Sequence, residues 1–212
     1  MKLAERYSGK TVLAVGAHAD DVELAVGGTI ARLRRSGARV VMVVASLPGD
    51  TKRRMAEVQA AAEILGCELR VLIGDGGTRI EDLKSYELVA MLDREVKEFA
   101  PAAMLTHGAA EFHRDHVLVH DACVSSQRLR YFDFFTYQPN FCRPVPVAFH
   151  PRAYVDISET IETKMRAIAA HQSQFKCRGL DIDVYRDIAR MNGRMVGVPY
   201  AEGLDVGRLL LA

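Results

Sequence analysis

Apolar runs and amphipathic stretches alternate along this chain regularly enough to predict most of its architecture. Residues 11–16 (TVLAVG), 39–45 (RVVMVVA), 68–73 (ELRVLI) and 102–107 (AAMLTH) are short apolar runs. The near-continuous run 39–45 reads as a strand buried on both faces of a sheet, and the other three read as strands. Between and after them the spacing predicts amphipathic helices over 23–36, 51–65, 82–99 and 114–130. Thr51 reads as an N-cap, Gly37 and Gly66 lie past helix ends, and Pro101 stops the third helix. The order βαβαβαβα predicts an α/β fold. Right-handed crossovers then give a Rossmann-like, mostly parallel sheet with helices on both faces, strand order 3-2-1-4 and added edge strands.

From residue 131 the pattern changes. YFDFFTYQPNFCRPVPVAFHP is dense in aromatics and prolines, and reads as a loop followed by a short edge strand. Residues 154–160 (YVDISET) read as a strand end and a helix start, with helix over 157–174. DIDVYRDIARMNGRM is a last helix and AEGLDVGRLLL a final short strand. No repeat or linker interrupts the chain, so residues 1–212 are expected to form a single domain.

Composition narrows the function. The chain has 212 residues, 49% hydrophobic and 26% charged, with net charge +1. It lacks the basic excess of a nucleic-acid binder. No stretch approaches the ~20 apolar residues of a membrane span, and MKLAERYSGK lacks the apolar core of a signal peptide. Cys67, Cys123, Cys142 and Cys177 form no C-x-x-C pair, so neither a disulfide framework nor a thiolate metal site is expected, and a cytoplasmic location is.

Two stretches break the apolar pattern. After the first strand comes AHADDVE, with His18, Asp20, Asp21 and Glu23; after the fourth comes THGAAEFHRDHVLVH, with His107, Glu111, His113, Asp115, His116 and His120. Charge at such density is costly to bury uncompensated, and a bound cation is one compensation. In a 3-2-1-4 sheet, strands one and four are neighbours. The crevice outside their carboxyl ends is the switch point where ligands bind, so the two clusters should face each other. Two imidazoles and one carboxylate are a catalytic zinc shell with an open position for water. A second carboxylate beside it can take the water's proton, and a free histidine can donate one. Asp20 and Asp21 are adjacent and must point differently, so one can bind metal while the other faces the water.

These motifs resemble those of the PIG-L/LmbE-like zinc-dependent N-deacetylases. AHADDVE resembles their A-H-P-D-D, and HRDH their H-P-D-H. YVDISETIETKMRAIAAHQSQF and PYAEGL resemble later family segments, so the likeness covers nearly the whole chain. It implies that His18, Asp21 and His116 hold Zn2+ and that Asp20 is the general base. It also implies His113 as general acid or oxyanion stabiliser, oriented by Asp115. Ala19 and Arg114 replace the usual prolines without touching the chemistry. Relatives often carry Asp, or a catalytic Tyr, where this chain has Glu111, so the oxyanion contribution of that position is not implied here. The substrate implied is a small N-acetylated sugar or glycoside, with no nucleic acid or membrane involved. Several short relatives form trimers or hexamers, which raises a homo-oligomer. A thiol-conjugate type amidase, a non-catalytic sugar binder retaining its metal, and a nucleotide-binding Rossmann protein are the rivals.

Other positions have two readings. Arg54, at the start of the second helix, resembles a family arginine that contacts substrate oxygens, or is a solvated neighbour of Arg53. Arg143 is a second candidate of that kind. Phe134, Phe135 and Tyr137 stack on a sugar or pack a subunit interface. His120 is a further ligand or a structural side chain, and His107 supports the cleft. Gly27 and Gly28 serve close helix–sheet packing. Glu23 is given no chemical part, and His171 has no derivable one. His113, beside Asp115, is expected to hold its proton above the ~6.5 of a free histidine.

Overall fold

A computed structural model describes residues 3–74, 77–139 and 149–210. A short helix α1 (Leu3–Arg6) leads into β1 (Thr11–Gly16), α2 (Asp21–Arg35), β2 (Arg39–Ser46), α3 (Thr51–Leu65), β3 (Glu68–Ile73), α4 (Ser85–Phe99), β4 (Ala103–His107) and α5 (Arg114–Ser126). Then follow β5 (Asp133–Tyr137), β6 (Ala153–Asp156), α6 (Ile161–Ala170), α7 (Asp183–Val196) and β7 (Ala201–Arg208). The strands form one seven-stranded sheet of order β3-β2-β1-β4-β5-β7-β6. The expected 3-2-1-4 core is present, and β1 to β5 are parallel. β7 runs antiparallel and carries β6 at the edge.

Alternation along the strands divides the core. Val12, Ala14, Val40 and Met42 pack with α2, α3 and α6 on one face. Leu13, Val15, Val41 and Val43 pack with α4 and α5 on the other. Both sides of β1 and β2 are therefore apolar, which is why they read as unbroken runs.

The structure corrects several expectations. Asp50, not Thr51, caps α3, its side chain accepting from the Arg53 amide at 3.1 Å. The segment read as a loop contains β5, a strand inside the sheet. Phe134, Phe135 and Tyr137 are buried in it, so they neither face a sugar nor pack a subunit interface. DFFTY is apolar in sense, and the prolines that obscured it begin only at Pro139, beyond the strand. Gly28 serves packing, but against α6's approach rather than the sheet: a Cβ there would lie 2.7 Å from Ile157 Cδ1. Cys67, Cys123 and Cys177 are free thiols; Cys142 lies outside the described residues.

The α2 helix is broken at Val26 (φ −133°, ψ 17°). The break frees backbone groups that a buried helix cannot leave unpaired. The side chains of Lys164 and Glu202 take them. Lys164 Nζ donates to Leu24 O at 2.8 Å, while Glu202 accepts from Gly28 N at 2.9 Å and Thr29 N at 2.6 Å. The two charges meet at 2.5 Å, and both residues are 2% exposed. Thr160 Oγ1 adds a bond to Gly28 O at 2.8 Å. At the opposite end of the sheet, one buried carboxylate gathers the chain termini. Asp133 accepts from Arg6 Nε at 2.8 Å, the Tyr7 hydroxyl at 2.7 Å, the Tyr131 hydroxyl at 3.0 Å and Leu210 N at 3.1 Å.

Lys164→Met strands Glu202 as an unpaired buried charge, and should cost roughly 3–5 kcal/mol in urea unfolding at neutral pH. A loss below ~1 kcal/mol would show that the break in α2 does not need its cation. Asp133→Asn tests the second junction. Burial opposes the charge on Asp133, but the bonds from Arg6 and Tyr7 prevail and hold its carboxyl below the usual range. A depressed folded-state value contributes stability above the unfolded pKa of ~3.9, lost as pH falls through the folded value. The variant should be about 2 kcal/mol weaker at pH 7, and the gap should close in acid. A pH-independent gap would assign the effect to shape instead of charge.

Candidate active site

The clusters expected to face each other do so because β1 and β4 pair directly, Val12 with Ala103 and Ala14 with Leu105. At the carboxyl end of β1 the chain turns sharply into α2. A side chain at Gly16 would meet Val22 Cγ2 at 3.0 Å and Asp21 Cβ at 3.2 Å, so any larger residue would press on the first turn of the helix where it folds back. The turn is closed by backbone bonds: Ala17 N donates to His107 Nε2 at 2.9 Å and His18 N to Asp21 Oδ2 at 2.8 Å.

Asp20 has φ 102°, a conformation that side chains other than glycine rarely adopt and that tends to persist where function holds it. It occupies the N-cap position of α2, yet its carboxylate makes no cap bond. Burial, with the adjacent Asp21 carboxylate, pushes Asp20 up to about 7; His171 and Arg54 pull the other way. Arg54 is part-buried, and its Nη2 donates to Ala19 O at 2.8 Å, bracing the peptide that precedes the strained residue.

Asp21 lies at the centre. Its Oδ2 is 3.8 Å from His18 Nδ1 and 3.3 Å from His107 Nε2, and its Oδ1 is 3.4 Å from His116 Nε2. Burial opposes its charge, but His116 foremost holds the carboxyl well below the usual range. On His116, burial is likewise outweighed by Asp21, and the imidazole rises to about 10. Two trios have donor atoms all within 4.8 Å of one another: His18, His113, His116; and Asp21, His107, His116. The trio implied by the family motifs, His18, Asp21 and His116, takes members from both but is not itself one of the two.

Hydrogen bonding decides which nitrogens have a free lone pair. His107 Nε2 accepts from Ala17 N, so it is not available to a cation, and burial pushes this imidazole down to about 4. His113 caps α5, its Nδ1 accepting from Asp115 N at 3.3 Å. Its proton then sits on Nε2, which makes it a donor and not a ligand. His18 Nε2 bonds to Asp115 Oδ2 at 2.9 Å, which puts the proton there and leaves Nδ1 open. His18 Nδ1, an Asp21 oxygen and His116 Nε2 are the donors that remain. Buried orphans, His116 Nδ1 and both oxygens of Glu111, mark this cluster as electrostatically incomplete. The donor set fits a divalent cation such as zinc.

Two expectations change. The Asp115 carboxylate bonds His18 and not His113, because the α5 cap already engages the His113 ring through the Asp115 backbone. The His113 imidazole is lowered, by burial first and then by His116 and His18, which outweigh the raising effect of Asp115. Sequence reasoning also missed a contact. Glu23 and His171, both 1% exposed, bond at 2.9 Å. Their positions, 148 residues apart, gave no signal of pairing, although His171 lies in the family-like segment. His120 Nδ1 binds His107 O at 2.8 Å, a structural part. Arg143 lies outside the described residues.

A mostly parallel α/β sheet with such a cluster at its switch point places a candidate metal centre where ligands bind in this class of fold. Residues 13–126 match the PIG-L family model, GlcNAc-PI de-N-acetylase, and the chain belongs to that family, a family of N-deacetylases. Diacetylchitobiose deacetylase of Thermococcus kodakarensis is 27% identical, covering 92% of this chain and 82% of that protein. The conserved protein TT1542 of Thermus thermophilus aligns with a TM-score of 0.81 at 26% identity, covering 96% of this chain and 97% of that one. The 4-carboxy-2-hydroxymuconate hydratase GalB of Pseudomonas putida shares the fold, with a TM-score of 0.78 at 22% identity over 96% of this chain and 98% of that one. No helix among the described residues is long and apolar enough to cross a membrane.

The strain at residue 20 predicts an inverted stability order. Elsewhere glycine costs about 0.5–1 kcal/mol relative to alanine. At φ 102°, Asp20→Gly should be more stable than Asp20→Ala by about 1 kcal/mol or more, measured by thermal melting in chelator. The ordinary order, alanine above glycine, would show that the turn relaxes without its side chain.

Proposed function

We propose that this protein is a cytoplasmic, zinc-dependent deacetylase that removes the N-acetyl group from a small amino-sugar compound. The observation that carries the reading is the buried Asp21 between His18 and His116, beside an Asp20 whose carboxylate no cap bond engages. His18 Nδ1, Asp21 and His116 Nε2 would hold the ion. Zinc in such a shell acidifies water and polarises a carbonyl.

The chain's own groups do the rest. Asp20 takes the proton of the attacking water. His113, with its proton on Nε2, donates a hydrogen bond to the carbonyl oxygen as negative charge develops there. Asp20, then protonated, is the group that returns a proton to the departing amine nitrogen. Asp115 serves through His18, and Arg54 through the Ala19 carbonyl; Arg54 is also kept as a candidate contact to substrate oxygens. Arg143 is retained as a candidate substrate contact. The diacetylchitobiose deacetylase relative supports an N-acetylated sugar as the substrate class.

A panel of small N-acetylated glycosides, scored for acetate release, tests the activity, with zinc content measured alongside. Asp20→Asn should keep zinc and lose roughly 10²–10⁴-fold in kcat. Asp21→Ala should lose zinc first, with activity partly restored by excess metal. Zinc lost in Asp20→Asn but kept in Asp21→Ala would invert the two assignments, and turnover unaffected by chelator would end the mechanism.

A further inference from the structure

Glu111 is the carboxylate of the cleft to which the reaction gives no part. It is 6% exposed, and neither oxygen has a hydrogen-bond partner. A carboxylate removed from water with nothing donating to it is costly, and such a group calls for an explanation. One buried donor is near. His116 Nδ1 lies 3.8 Å from Glu111 Oε2 and is itself without a partner. The other ring nitrogen of His116, Nε2, lies 3.4 Å from Asp21 Oδ1. A neutral imidazole that gives its Nε2 lone pair to a cation carries its one proton on Nδ1. That proton belongs on the Glu111 side of the ring.

The other imidazole of the site also has a carboxylate behind it, there at hydrogen-bond distance. His18 has Nδ1 3.8 Å from Asp21 Oδ2 and Nε2 bonded to Asp115 Oδ2 at 2.9 Å. Asp115 stands behind His18 as Glu111 stands behind His116. We infer that Glu111 is a positioning residue for His116. It accepts the Nδ1 proton, fixes the tautomer that leaves Nε2 open, and so sets the affinity for the metal. The inference rests on the metal site proposed above. Glu111 acts through His116 and does not touch the reacting atoms.

The test is zinc affinity, by competition against a chromophoric chelator, for the wild-type chain, Glu111→Gln and Glu111→Leu. Zinc Kd should weaken about 10- to 100-fold, more in the leucine variant, since the glutamine oxygen can still accept the proton. Melting in chelator should be unchanged or higher in both, because a buried unpartnered carboxylate is gone. Zinc affinity within about twofold of wild type in both variants overturns the inference, whatever the melting temperature. Where the leucine variant fails to fold, the glutamine variant decides by the same criterion. A wild-type chain that takes up no zinc overturns the metal site and this inference together. Normal wild-type uptake with unaffected variants overturns the inference alone.

Discussion

The buried pair of Lys164 and Glu202 is the constraint on which the geometry of the cleft depends. The first turn of α2 carries Asp21 and Glu23, and the helix breaks only a few residues later, at Val26. Without partners for the freed carbonyls and amides, a break inside a buried helix would be intolerable. Lys164 from α6 and Glu202 from β7 supply those partners and neutralise each other. A buried pair of this kind is weak evidence for net stability. Here its value is placement: it ties the catalytic helix to two elements from the last quarter of the chain. The match to the family model ends at residue 126, so the half of the sequence that lies outside it holds the other half's site in position.

What the sequence reveals follows from how local each cause is. β1, β2 and β4 show as apolar runs because both faces are covered by helices, and their order follows from crossover handedness. The meeting of the two His/Asp clusters is legible because it needs only strand adjacency. β5 is hidden because prolines just beyond it make a buried aromatic strand look like a loop. The partner of Asp115 is hidden for a different reason. Proximity in sequence favours His113, but the cap of α5 turns that ring onto the backbone and sends the carboxylate to His18, 97 residues away. Glu23 with His171, and Lys164 with Glu202, are closures of the tertiary fold, and nothing local announces them.

Strain and charge meet at the same turn. Gly16 lets α2 fold back over the strand end, and Asp20 takes a positive φ that a glycine would accept freely. An unconstrained chain would relax there. Arg54 holds the Ala19 carbonyl, Asp21 accepts from the His18 amide, and the Asp20 carbonyl accepts from Leu24 N at 2.9 Å, so the peptides on either side are pinned. The turn is thus over-determined by neighbours, the condition under which a strained conformation persists.

In the proposed mechanism Asp20 and His113 are the groups left for chemistry, and pairing supports that choice. Besides His107, three imidazoles near the cleft have a carboxylate within ion-pair distance: His18 has Asp115, His171 has Glu23, and His116 has Asp21 and Glu111. His107 is spent on the Ala17 amide. An imidazole so matched is fixed in tautomer and orientation, and a carboxylate so matched resists protonation. Asp20 is the carboxylate of the opening cluster with no imidazole of its own, and His113 the imidazole whose ring takes only a backbone amide. In that reading the first exchanges a proton with water and the second offers one to an oxygen, while the imidazoles and carboxylates around them are engaged with one another.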